Sequence, residues 1–560
     1  MNSATLALLG LALFYLAYKF YAKYIDTRIF KIDTLKNTPT PALKYKDGVD
    51  YVPTSKHILL GHHFSSIAGA APIVGPAVAV IWGWVPAVLW IFFGVIFMGA
   101  CHDFGALFLS MKDNGRSMAN VAGDLLGTRA RVLFLTIIFF LVWLVIAVFT
   151  LVIANLFIQF PSSVLPVNSE IILALIMGYF WNRKASSKLT LPSIVAFIIL
   201  LIMIYLGTLY PISLGPIFGS NELIAWILIL MLYSFVASVL PVWALLQPRD
   251  FINSHQLFTG LFLMVLGVFI VNPEVVAPAL NLNPEGAPPW FPFLFITIAC
   301  GAISGFHGLV SGGTTSKQVA KWTDAKPIAY GSMLGEGLLA LLATLAVSAG
   351  FSTTQEWSHH FRSWDAANGL TTKIGAFVLG ASKFISGVGI SNEVSQTIIV
   401  VLIISFAATS LDTACRIQRY IISEVGSSLK IKALGNRYLS SALAIFSALL
   451  LMMSANGGKG GLSLWPLFGA TNQMLAGITL ILVVVYLKKQ NRNIWPYLIP
   501  AIFVIVITFV GLFINLKLFF QNNKLLLGSV ALILFVSQCF VIAEAIWSWK
   551  SFLRNKKIRT

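Results

Sequence analysis

The stretch from His57 to Pro76, HILLGHHFSSIAGAAPIVGP, gathers polar side chains and helix breakers in one apolar setting. His62, His63, Ser65 and Ser66 supply imidazole and hydroxyl groups, and Gly69 leaves backbone open to a neighbour. Three glycines and two prolines lie within these residues, and proline removes a donor and clashes with the preceding turn. Backbone groups freed in an apolar layer must face protein or a watery cavity. There, helix ends offer N–H groups to an anion and carbonyls to a cation. The pattern points to holding a small solute. The bland alternative is a kinked packing helix, common in bundles.

Two further segments carry groups of the same kind. The first runs from Ser234 through Ser238 to Pro241, followed by Gln247-Pro-Arg-Asp250. With His62, His63, Ser65, Ser66 and Gly69, Ser238 and Gln247 complete the candidate substrate-binding set. The second, from Ser304 to Ser316, collects Ser304, His307, Ser311, Thr314 and Thr315 among glycines. Close helix packing explains the glycines; the hydroxyls would suit a coupling ion or a substrate carboxylate. Asp103 joins this coupling set because an acid at mid-membrane costs about 2.5–3.5 kcal/mol on insertion scales and marks function by default. His102 points about 100° away from it around an ideal helix, so it need not be its partner. Glu336 and Glu544 are weaker candidates. Asp412, Arg416 and Arg419 share one helix face at i, i+4 and i+7, where the expected span meets the cytosol, which fits a gate or structural ion pair.

The elements that must position these groups follow from composition. Of 560 residues, 58% are hydrophobic and 10% charged, with mean hydropathy +0.86. A globular chain is about 25% charged, so an ordinary soluble surface is excluded. Apolar runs long enough to cross a hydrocarbon layer of about 30 Å predict an all-α polytopic membrane protein. About fifteen spans are expected, near 4–22, 58–80, 84–110, 132–159, 170–182, 190–210, 223–246, 255–272, 291–312, 328–350, 394–412, 438–455, 463–487, 495–516 and 525–548, with Ile374–Gly389 re-entrant or interfacial. Setting the N-terminus outside places 32 of the 38 Lys and Arg residues on the cytoplasmic side, which is the direction such residues take. The C-terminus is then cytoplasmic. The first span reads as an uncleaved anchor, with Lys19, Lys23, Arg28 and Lys31 after it and no basic residue before it.

The net charge of +18 sits in connections between spans, which argues against nucleic acid as a partner. The four cysteines behave as small apolar residues. Walker A, HExxH and GxSxG sequences are absent, and the eight histidines form no convincing metal constellation; neither an enzyme nor a cofactor is expected. The expected organisation is an anchor and basic loop over 1–56, a core over 57–412 and C-terminal helices over 413–560. The broken spans at 61–76 and 234–248 lie five crossings apart and run in opposite directions, as a five-plus-five inverted repeat requires.

Several of these motifs are long. Gly61-His-His-Phe-Ser-Ser-Ile-Ala-Gly-Ala-Ala-Pro-Ile-Val-Gly-Pro76, His102-Asp-Phe-Gly105, Gln247-Pro-Arg-Asp250, Gly305-Phe-His-Gly-Leu-Val-Ser-Gly-Gly-Thr-Thr-Ser-Lys317, Ser410-Leu-Asp-Thr-Ala-Cys-Arg416 and Trp465-Pro-Leu-Phe-Gly-Ala-Thr-Asn-Gln473 resemble the carbon starvation protein A (CstA) family from about residue 25 to 515. The resemblance implies a LeuT/APC-like core and a secondary active transporter of the bacterial plasma (inner) membrane. It implies pyruvate as the small-molecule substrate with a proton, or sodium, as coupling ion; di- or tripeptide uptake is the alternative. A nutrient sensor is the reading from another class, and the short tail after Trp549 offers it no signalling domain. Oligomeric state is open.

Overall fold

The computed structural model describes residues 2–48, 50–183, 190–368, 370–453 and 465–557. Much of the basic connection at 183–188, together with Lys459 and the start of the expected span at 463, lies outside them.

Apolar runs of this length close into helices because a hydrocarbon layer leaves backbone groups no partner outside their own segment. The labelled helices, with short connectors left unlabelled, begin with α1 (Ser3–Phe30), α2 (Lys56–Ile67), α3 (Ala71–Trp82), α4 (Trp84–Lys112) and α5 (Thr128–Gln159). There follow α6 (Val164–Arg183), α7 (Thr190–Leu209), α8 (Glu222–Val239) and α9 (Leu246–Val271). Three short pieces come next: α10 (Trp290–Thr297), α11 (Ala299–Ala302) and α12 (Gly305–Gly313). The chain then forms α13 (Trp322–Ala349), α14 (Leu370–Ser386), α15 (Asn392–Ser428) and α16 (Arg437–Met453). It ends with α17 (Trp465–Lys489), α18 (Trp495–Gln521) and α19 (Leu525–Lys557). Among the described residues twelve helices are long and apolar enough to cross a membrane, and α2 with α3 adds one span bent by 48°. The expected spans at 291–312 and 438–455 are the short pieces α10–α12 and the shorter apolar helix α16.

Three expectations need correction. Residues 234–248 are not one fractured crossing. Helix α8 ends at Val239, residues 240–245 form a turn, and α9 starts at Leu246. Pro241 therefore separates two full spans, and the repeat drawn between 61–76 and 234–248 loses its second break. The second break lies in the expected ninth span, where Ile303 (φ −160°, ψ 128°) and Ser304 (φ −130°, ψ 125°) are extended between α11 and α12. Lastly, α15 runs unbroken for 37 residues, so Asp412 lies in mid-helix, and a core boundary drawn at 412 falls inside a helix.

The two broken elements pack together. The early piece α2 touches the late piece α12, and the late piece α3 touches the early pieces α10 and α11, so they run antiparallel. Close approach is what the glycine at 75 permits: a Cβ there would stand 2.2 Å from the Thr297 carbonyl oxygen. Helix α14 packs against α3, α9, α13 and α15. Between α1 and α2, residues 31–48 and 50–55 form a strap across one end of the bundle. It is tied down by Trp322 Nε1 to the Thr38 carbonyl (3.1 Å), the Thr54 N–H to the Gln318 carbonyl (3.0 Å) and the Tyr51 hydroxyl to the Asn114 carbonyl (3.0 Å).

Candidate functional site

The first break comes where α2 meets Ala68 (ψ 59°), ahead of Pro72 in the first turn of α3. Among the described residues the N–H groups of Ala70 and Ala71 find no partner, as the start of a helix dictates. Ser66 is buried with its hydroxyl unpaired, while its carbonyl accepts from Ser410 Oγ on α15 at 3.2 Å. Gly69 faces the Phe149 ring and Ser410. The unpaired donors therefore sit against a ring and a hydroxyl in a closely packed setting, where a Cβ at position 69 would stand 2.9 Å from both.

The second break is held by a residue far along the chain. Asn472 of α17 accepts at Oδ1 from the Phe306 N–H (2.8 Å) and Ser304 Oγ (3.3 Å), and its Nδ2 lies 3.1 Å from Ser304 Oγ and 3.0 Å from Cys300 Sγ. A side-chain amide thereby replaces the carbonyl that an unbroken helix would supply to Phe306. Gln473 next to it donates to the Phe295 carbonyl at 2.7 Å.

One turn into α12, His307 meets Asp103 of α4. Asp103 accepts from His307 Nδ1 at 2.8 Å through one oxygen and from His102 Nδ1 at 2.7 Å through the other. Adjacency in sequence did not keep His102 away, because the imidazole turns back along the helix toward the carboxylate. The far nitrogen of His307 lies 3.1 Å from Glu336 Oε2 on α13. That is ion-pair distance, yet the groups are not aligned as a hydrogen bond, and both Glu336 oxygens lack a hydrogen-bond partner. His102 Nε2 is also unpaired and faces Gly308, where a Cβ would come within 3.3 Å of the ring. All four side chains are buried. With Asp103 accepting from both Nδ1 atoms, each outer ring nitrogen is left without a hydrogen-bond partner.

A second polar group ties α2 to α9. His62 Nδ1 contacts Asp250 Oδ2 at very close range, and its Nε2 lies 3.4 Å from Gln318 Nε2. Gln318 accepts from Gln247 at 2.9 Å. Ser65 donates only to the Asp250 carbonyl, at 3.4 Å. His63 turns the other way, to Thr315 Oγ1 at 2.8 Å. Thus His62 and Ser65 meet Asp250, Gln247 reaches His62 only through Gln318, and His63 joins the segment that follows His307. Ser311 is buried with its hydroxyl unpaired. Thr314 bonds back to the Val310 carbonyl at 3.0 Å, and Ser238 to the Phe235 carbonyl at 2.9 Å; both side chains serve their own helices, and Ser238 does not reach either break.

The expected pairing of Asp412 with Arg416 and Arg419 is absent. Asp412 instead takes Arg249 Nη1 at 2.5 Å and the Tyr233 hydroxyl at 2.7 Å. Arg249 also donates from Nε to Glu170 at 3.2 Å, and Glu170 accepts from Ser405 at 2.7 Å. Arg249 Nη2 and Asp412 Oδ1 find no partner, yet each charge faces an opposite one, and a lone buried charge would be far costlier. Arg416 donates to the Ala237 and Leu240 carbonyls (3.1 and 2.6 Å) and Arg419 to Ser238 (2.9 Å), closing the end of α8. These three arginines belong to the buried structure, although counting basic residues places them in cytoplasmic connections.

Two cavities flank these clusters. One of about 440 Å³ is lined by Gly286, Thr297, Trp364, Trp465, Gly469 and Asn515 among others. The other, of about 220 Å³, is lined by Asp50, Leu240, Pro241, Arg416, Arg419 and Arg437 among others. Helix α9 crosses from Leu246 to Val271, so Pro241 and Gly286 lie at opposite ends of one span and the cavities open at opposite ends of the bundle. The buried polar clusters and the two breaks lie in the closed section between them.

The sequence profile of the family described as "Carbon starvation protein CstA" matches residues 2–354 and 357–511. A protein named "Peptide transporter CstA" from Campylobacter jejuni is 32% identical, with 94% of this chain and 82% of that one covered. A Bacillus subtilis protein of the same name is 30% identical over 100% of this chain and 99% of its own length. The "Pyruvate/proton symporter BtsT" of Escherichia coli is 30% identical, covering 92% of this chain and 82% of that one. Among solved structures, MhsT in complex with L-phenylalanine aligns with TM-score 0.45 at 12% identity, over 88% of this chain and 99% of that one.

Proposed function

The chain belongs to the carbon starvation protein CstA family, and on that premise we propose that it is a secondary active transporter that imports pyruvate together with protons. Its relatives are transporters, and this chain is a multi-pass membrane protein; substrate and ion are the proposed part. The observation that carries the proton is the buried His102–Asp103–His307–Glu336 cluster. Sodium asks for several oxygen ligands, as hard cations do. Here both oxygens of the central carboxylate already take imidazole N–H groups, which suits a proton better.

Coupling also answers an electrical need. Carrying one negative charge into a negative-inside cell costs about 2.3 kcal/mol per 100 mV, and one proton cancels it. The solute's carboxylate fits the first break, where Ser66 and the free N–H groups at Ala70 and Ala71 supply donors. The transport core in this reading comprises α2–α3, α4, α9, α10–α13 and α15, with Asn472 of α17 holding the second break. The protein resides in the bacterial plasma membrane with its N-terminus outside and C-terminus inside, so the 440 Å³ cavity faces out and the 220 Å³ cavity faces in.

A peptide substrate is the second reading, favoured by the larger volume of the 440 Å³ cavity and by the names of the Campylobacter and Bacillus relatives. The test is uptake of labelled pyruvate by proteoliposomes under an inward proton gradient, with unlabelled di- and tripeptides as competitors. Concentrative uptake that peptides leave untouched is expected. Flux equal to that of empty vesicles ends the pyruvate reading, and peptide-driven proton entry replaces it.

A further inference from the structure

The 220 Å³ cavity gathers three arginines around a recess with an apolar wall. Arg416 is 3% exposed, and its Nη2 is engaged by the Ala237 and Leu240 carbonyls while its Nε has no partner. Arg419 spends one nitrogen on the Ser238 carbonyl, and its guanidinium lies 4.7 Å from the Tyr420 ring centre. Arg437, from the start of α16, completes the set. Neutral carbonyls orient these cations without cancelling their charge. Asp412, one turn away on α15, is committed to Arg249 and Tyr233. The carboxylate left to balance three guanidiniums in the cavity wall is Asp50 of the strap, which accepts from the Tyr420 hydroxyl at 3.0 Å.

From this juxtaposition we infer that the cavity is a second binding site, for a small carboxylate, at the strap end of the bundle and separate from the breaks, and that Asp50 is a tethered competitor for it. Guanidinium groups hold carboxylates in a planar, two-pronged geometry. Leu240, Pro241 and Val239 offer the apolar contact that a short keto or hydroxy acid, or the carboxyl end of a peptide, also needs. The inference extends the transport reading: it places a station for the carboxylate on the release side, where displacement by Asp50 returns the site to rest.

The test uses the full-length protein in detergent with the exposed Cys539 replaced by serine and Ser423, in the cavity wall, replaced by cysteine. The rate of maleimide labelling is measured with pyruvate, with acetate, with uncharged methyl pyruvate and with sodium chloride at equal ionic strength. Both carboxylates are expected to slow labelling and methyl pyruvate is not. Arg416→Gln removes the protection, and Asp50→Asn lowers the pyruvate concentration needed by about two- to fivefold, the effect of removing one partly exposed competing charge. Val239→Cys serves as reporter if Ser423→Cys fails to accumulate. No protection by either carboxylate, equal protection by methyl pyruvate, or protection that survives Arg416→Gln overturns the inference. Because labelling needs no transport, protection without flux leaves the site standing and refutes only the importer, and flux without protection does the reverse.

Discussion

Replacing Asn472 by alanine should loosen the second break while leaving the rest of the fold closed. The substitution strips the buried Phe306 N–H of its only side-chain acceptor and removes the contacts to Ser304 and Cys300. An orphaned buried donor costs about 1–3 kcal/mol, and interhelical side-chain bonds in membranes average about 0.6 kcal/mol each. Together these give roughly 2–4 kcal/mol, or a local opening roughly 30- to 1,000-fold more frequent. The protein supplies its own reporter, since Cys300 touches the missing amide and is buried, while Cys415 is buried on α15 among other partners. With Cys539 replaced by serine, thiol labelling under native conditions should accelerate by that factor at Cys300 and stay near the wild-type rate at Cys415. Asn472→Asp, which keeps the acceptor, should fall between. A wild-type ratio of the two rates in Asn472→Ala would refute the claim that this amide holds the break. Equal acceleration at both sites would show global unfolding instead.

Asp103→Asn keeps the shape of the cluster and removes the charge that binds both imidazoles; proton-driven accumulation of pyruvate should drop at least about tenfold while exchange of pyruvate across the membrane continues. Gly308→Ala puts a Cβ 3.3 Å from the His102 ring, and mild overpacking of about 1–2 kcal/mol should reduce proton-driven uptake several-fold; Gly308→Leu should abolish it with folded protein still present in the membrane. Arg249→Gln leaves Glu170 and Asp412 facing each other without a cation. A broken buried pair costs about 3–5 kcal/mol, so yield of folded protein should collapse, and Glu170→Gln with Asp412→Asn in the same chain should restore part of it. Burial holds the His360 imidazole below its ordinary value. The unfolded segment then binds more protons than the folded one, and the stability present above the ordinary histidine range is lost as pH falls through it. Amide exchange across residues 351–367, corrected for its intrinsic rate, should quicken between pH 7.5 and 5.5, and His360→Gln should remove the difference.

The break at 68–70 was legible because its cause is local: glycine, proline and a run of small residues within one crossing. Pro241 misled for the same reason. A proline inside an apolar run reads alike whether it fractures one span or parts two. The break at Ile303–Ser304 contains no proline, and what makes it affordable to the fold is an amide about 170 residues later in the chain, which no local pattern reveals. Asp103 was found by the rule that ionisable groups within the bilayer are functional and His307 by the hydroxyls that gather around it, but their meeting depends on how α12 crosses α4. Glu170 escaped the same rule because the expected span started on it; with α6 beginning at Val164, it lies well inside. Arg249 and Asp250 were visible in a motif and unassigned, since a basic residue beside a proline resembles a loop. Arg416 and Arg419 were rightly placed on one face, yet their partners are carbonyls of another helix, a class of partner that composition does not display.

Helix α15 extends 37 residues, about 55 Å at 1.5 Å per residue, against a hydrocarbon thickness of about 30 Å. Ser410 grips the first break, Asp412 is anchored to Arg249, and Arg416 and Arg419 stand in the wall of the arginine-lined cavity. A rod that stiff behaves as a lever. Pivoting it by about 10° near Ser410 sweeps Arg419, nine residues on, through roughly 2 Å, enough to make or release a hydrogen bond. Such a pivot would strain the bonds from Asp412 to Arg249 and from Arg416 and Arg419 to the end of α8, so the fractured helix and the far mouth share one mechanical element.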